Sequence, residues 1–128
     1  MDRPGRLLLA GALLGLLTVA LGAFGAHALH DRLGPVAQGW WQKAVFYQGL
    51  HALALLVTGL FALQRPDRLL GLAAWALLLG VLLFSGSLYL MALGAGRWLG
   101  AVTPLGGSAL LLGWGALAAA AWRLPSGR

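Results

Sequence analysis

Cysteine, glutamate, asparagine and isoleucine are absent from this 128-residue chain, and it holds only three acidic residues. Without cysteine there is no disulfide framework, no thiolate metal site and no cysteine nucleophile, and the redox compartment leaves no trace. The acids Asp2, Asp31 and Asp67 all fall outside the long apolar runs. Proton- and sodium-driven carriers usually rely on an acid inside the membrane, so coupled transport is disfavoured. Hydrolytic chemistry lacks its parts as well. Ser85-Gly86-Ser87 is not a Gly-x-Ser-x-Gly elbow, and no acid is placed to orient a histidine. The expectation is a protein that is not an enzyme and needs no cofactor.

Charge is the other scarcity. Only 9% of the residues are charged and 60% are hydrophobic, with a mean hydropathy of +0.84. A soluble domain carries about 25% charged residues, so water would not solvate the surface of this one. Four charge-free runs occupy most of the chain, 7–30, 44–64, 69–96 and 98–122. Each supplies the roughly 20 apolar residues that cross a ~30 Å hydrocarbon core as a helix. Backbone groups in lipid must bond within their own segment, and none of these runs alternates as a barrel strand would. The fold class expected is all-α: one domain of four transmembrane helices in an antiparallel bundle, with spans near 7–28, 42–63, 69–92 and 99–122.

The first run has some features of a secretory signal, because Arg3 and Arg6 precede it and Ala26-His27-Ala28 has a small-x-small form. Its apolar stretch is longer than a signal core and its small residues are periodic, so it is read as a retained helix. The nine basic residues are scattered singly between the runs, which suits membrane topology rather than nucleic acid. Arg3, Arg6, Arg65, Arg68, Arg123 and Arg128 share one side; Arg32, Lys43 and Arg97 share the other. Short loops rich in positive charge mark the cytoplasmic face, which places both termini there. Trp40, Trp41 and Trp98 are then expected at the outer boundary, with Trp75 and Trp122 near the inner one. Gly34-Pro35 suits a helix start, so the second helix gains an interfacial extension ahead of its span. Thr103-Pro104 offers a similar cap and first-turn pair for the fourth.

Helix association in lipid relies on close approach of small residues. The first span offers Gly11, Gly15, Thr18, Gly22 and Gly25 as one face, including a GxxxG at Gly11 and Gly15. The third offers Ala73, Ala76, Gly80, Leu83 and Ser87, and the fourth Gly106, Ala109, Gly113, Ala116 and Ala120. The matching face of the second span is more polar: Ala44, Gln48, His51, Leu55, Thr58 and Ala62. Antiparallel topology brings His27, Gln48, His51, Ser85, Ser87 and Thr103 to a similar depth in the outer half of the bilayer. Three readings of this layer stand together. It is interhelical glue, or it holds a lipid, a small metabolite or an ion, or His27 and His51 ligate a metal or haem. The last lacks any carboxylate to support the imidazoles, and no metal site is assigned.

Four blocks in order, GAFGAHAL (22–29), AVFYQGLHALALL (44–56), LLFSGSLYLMAL (82–93) and VTPLGGSALLLGW (102–114), resemble the family called domain of unknown function 423. That family includes YgdD-like bacterial inner-membrane proteins, and transmembrane protein 256 of animals is similar to it. The resemblance implies a small integral protein of the bacterial inner membrane with a retained first helix. It implies no activity. The matching motif positions include His27, Gln48, His51, Ser85, Ser87, Thr103 and Gly106-Gly107. The expected function is association, as an accessory subunit or a self-assembling bundle, with the bilayer and a second copy or membrane complex as partners. The alternative is a binding or permeation protein that uses the polar layer.

Overall fold

The computed structural model describes residues 3–127. Met1, Asp2 and Arg128 lie outside the described residues, and with them one acid and one arginine counted above.

Among the described residues four helices follow one another: α1 (Pro4–His27), α2 (Pro35–Gln64), α3 (Arg68–Ala92) and α4 (Val102–Trp122), with a 3-10 segment, Arg97–Ala101, before the last. All four are long and apolar enough to cross a membrane, and no strand occurs among the described residues. Local chemistry sets their ends. Gly34 is extended and Pro35 supplies the first turn of α2, where a missing N–H costs nothing. The 30 residues of α2 span about 45 Å, so its first turns project beyond a ~30 Å core. Asp67 caps α3 by accepting a hydrogen bond from the Leu69 amide at 2.9 Å. After α3 the chain turns through Gly94 and Gly96 at φ of 95° and 89°, a region that side chains other than glycine's rarely tolerate.

One expectation about α4 is corrected. Thr103 is not a cap, because the helix is already running at Val102. Its hydroxyl donates back to the Leu99 carbonyl at 3.3 Å, as in-helix threonines commonly do.

α2 and α3 form the centre; α1 lies against α2 and α4 against α3. The main apolar core gathers Leu7 and Leu14 with Ala52, Leu55, Ala74, Leu77, Val81 and Leu110. The α3–α4 seam is the closest. A methyl group at Gly106 would stand 2.8 Å from the Phe84 Cα and 2.9 Å from the Gly80 carbonyl oxygen. Gly113 faces Leu77 and Gly80 faces Leu110 in the same way, so the two helices interlock backbone against side chain. On the other side Gly11 meets the Ala52 carbonyl and Leu56, Gly22 meets Val45, and Gly25 lies flat against the Trp41 indole.

Gly15 departs from the expected face: nothing lies within 4 Å of where its Cβ would be. Only the first half of the GxxxG is used inside the chain, because α1 has one main neighbour and its face toward α2 passes through Gly11, Leu14 and Thr18. Leu83 likewise points outward, and Phe84 takes its place toward α4.

Candidate functional site

The second-span stripe is buried from Ala44 to Thr58, as its periodicity predicts, while Ala62 at its end is only half-buried. Ala44, Gln48, His51, Leu55 and Thr58 are all at most 4% exposed. These positions face both neighbours at once because α2 is central, and their polar groups must find partners inside the protein.

Gln48 binds in two directions. Its Nε2 donates to the Leu14 carbonyl of α1 at 3.1 Å, and its Oε1 accepts from the Tyr89 hydroxyl of α3 at 2.7 Å. Ser85 on α3 donates to the Ala44 carbonyl of α2 at 2.8 Å. Ser87 and Thr103 share a hydroxyl contact of 2.6 Å between α3 and α4. Trp41 donates from its indole to the Leu21 carbonyl of α1 at 2.9 Å.

His51 lies between Tyr47 and Trp114. The Trp114 indole N–H, a donor only, reaches Nε2 at 3.0 Å, so Nε2 accepts. The proton is then on Nδ1, which donates to the Tyr47 carbonyl at 2.7 Å. Both ring nitrogens are used, and the neutral tautomer is set by its neighbours. A metal on either nitrogen would have to displace one of these bonds. Among the described residues no three histidines, aspartates or glutamates come together.

His27 does not join the layer. It is exposed at the last residue of α1, and the α1 carbonyls of Leu14 and Leu21 serve the network instead. The structure therefore brings together Gln48, His51, Ser85, Ser87 and Thr103, and adds Tyr89, Trp114 and Trp41. Trp41 is 5% exposed and so is an internal anchor between α1 and α3. Nothing in the spacing of α4 says that the Trp114 N–H meets an imidazole two helices away. No buried side-chain nitrogen or oxygen among the described residues lacks a partner.

A separate cavity of about 440 Å³ opens between the end of α1 and the start of α2, with Gly22, Gly25, Trp41 and Val45 as walls and His30, Gln38 and Gln42 around it. Gln38 Nε2 is held by the carbonyls of His30 and Leu33, which fixes the α1–α2 turn.

Comparison with known proteins places the chain. The model of the family described as "Protein of unknown function (DUF423)" matches residues 21–107. A "UPF0382 membrane protein" of Staphylococcus epidermidis is 44% identical over 107 residues, covering 84% of this chain and 87% of the relative. The "UPF0382 inner membrane protein YgdD" of Escherichia coli K12 is 42% identical over 118 residues, covering 92% and 90%. No solved structure matches. With the match spanning the end of α1, all of α2 and α3 and the start of α4, this four-helix membrane protein belongs to the DUF423 family, whose function is unknown.

Proposed function

We propose that this protein is not an enzyme but a helical scaffold that associates with another membrane helix, either a second copy or a subunit of a membrane complex, through α1. The observation that carries the reading is the uneven cover of that helix. Only 17% of the apolar stretch of α1 is buried, against 44% for α2 and for α3. Its open side carries Ala12, Leu16, Val19 and Ala23 beside the uncovered Gly15, an apolar surface on which a partner helix can lie. The polar layer supports the same reading, since its buried side chains all have partners within the bundle, several of them on a neighbouring helix.

The absence of cysteine makes the test direct. Gly15→Cys in native membranes is expected to give a disulfide-linked species, with Leu111→Cys on the exposed side of α4 as the control. If G15C remains monomeric under oxidation and Gly15→Leu changes no complex on a native gel, association through α1 is wrong.

The charge asymmetry supports cytoplasmic termini in a bacterial inner membrane. Ser126→Cys should then resist an impermeant thiol reagent in intact cells and react after lysis. A second reading is favoured by the 440 Å³ cavity, which suits a neutral amphiphile at the outer interface. Native mass spectrometry should then find a non-protein mass that Gly22→Leu removes.

A further inference from the structure

At the end of the bundle opposite the polar layer, the α2–α3 loop meets the end of α4. Asp67, already the cap of α3, lies 3.6 Å from the Arg123 guanidinium and holds that side chain toward the loop. A crevice of about 180 Å³ lies here, lined by Arg65, Asp67 and Arg123 and by the apolar Phe61, Ala120 and Leu124. Arg68 stands just beyond, lining the next cavity together with Asp67. Three arginines and one carboxylate thus line two adjoining cavities at this end of the bundle. Trp122, 90% exposed and next to Arg123, sets this level at the membrane–water boundary, where indoles concentrate.

We propose that this crevice binds the phosphodiester of an anionic phospholipid, with the phosphate between Arg65 and Arg123 and an acyl chain along Phe61, Ala120 and Leu124. Guanidinium is the side chain best shaped for phosphate oxygens, and Asp67 orders one of the two in advance. A lipid is favoured over free phosphate by the walls: an inorganic anion has no use for a phenyl ring and two aliphatic side chains beside its charge. Net positive charge at the boundary selects an anionic headgroup over a zwitterionic one. The inference is independent of how α1 associates, and of which face is cytoplasmic.

The test is native mass spectrometry of the full chain in detergent, titrated with phosphatidylglycerol and with phosphatidylcholine of the same acyl chains. Phosphatidylglycerol should be retained preferentially. Arg65→Gln/Arg123→Gln should lose about fivefold in that preference per arginine removed, while Arg65→Lys/Arg123→Lys keeps most of it. Arg32→Gln/Arg97→Gln, at the other end, should change nothing. Arg65→Gln alone, at an exposed position, carries the test if the double variant fails to fold. Equal retention of the two lipids, or an unchanged preference in R65Q, overturns the proposal. So does complete displacement by excess inorganic phosphate, which would make this a free-anion site.

Discussion

At Gln48 one amide spans three helices, receiving from Tyr89 and donating to Leu14. Gln48→Ala should therefore cost about 1–3 kcal/mol in a detergent-to-SDS unfolding titration, since interhelical bonds in membrane proteins contribute about 0.6–1.7 kcal/mol each. Tyr89→Phe removes one of the two and should cost less. The double variant should cost less than the sum, because the shared bond is lost only once; strict additivity would mean that Tyr89 and Gln48 do not interact. Trp114→Phe belongs to the same scale. It leaves His51 Nε2 buried without its donor, so it should destabilise by about 1–3 kcal/mol. Trp98→Phe, at a side chain 71% exposed, should be close to neutral. What the sequence made legible here is that Gln48 and His51 are buried: a polar residue within an apolar span has few other places to go. It did not reveal their partners. Backbone carbonyls at Leu14, Leu21 and Ala44 accept much of the network, and a carbonyl is present at every residue. The same limit explains His27. It shares the depth of the layer, but depth fixes only one coordinate, and the rotation of α1 turns it outward.

Rotation is also what separates the glycines that matter from those that do not. α3 and α4 pack so closely that a methyl at Gly106 would strike the Phe84 backbone, which has no rotamer to move into. Gly106→Ala should destabilise by about 1–3 kcal/mol, the usual cost of overpacking. Gly15→Ala, with open space at its Cβ, should change unfolding by less than about 0.5 kcal/mol. Gly113 and Gly80 meet the flexible ends of Leu77 and Leu110 first, so alanine there should fall between the two. If all four variants unfold alike, the small-residue seam is not what holds α3 to α4. Spacing alone ranked Gly11 and Gly15 equally, as a GxxxG pair. Only the placement of one main neighbour on α1 distinguishes them, and hydropathy carries no information on which helix lies beside which. For α2 the pattern was sufficient. Its stripe is the most polar of the four, and the helix that can bury such a stripe on both sides is a central one.

Taken as a whole, the molecule is two hairpins, α1–α2 and α3–α4, joined by the short Arg65–Asp67 loop. Each hairpin has its own close seam: Gly11 against Ala52 and Gly59 against Leu7 and Leu8 in the first, Gly80, Gly106 and Gly113 in the second. Between the hairpins the contact is of a different kind. Ser85 to Ala44, Tyr89 to Gln48 and Trp114 to His51 are the side-chain hydrogen bonds that join them, all between the middle of the bundle and the end where α2 begins. The chain cut at Pro66 should therefore yield two halves that insert separately and find each other in the membrane, because each satisfies its own backbone as helices. Co-expressed residues 1–66 and 67–128, with a tag on the first, should purify together. Ser85→Ala combined with Gln48→Ala should reduce recovery of the second half severalfold while leaving each fragment helical. Full recovery without those bonds would transfer the role of holding the hairpins together to apolar packing around Leu55, Ala74 and Leu77, and would leave the polar layer open for a ligand.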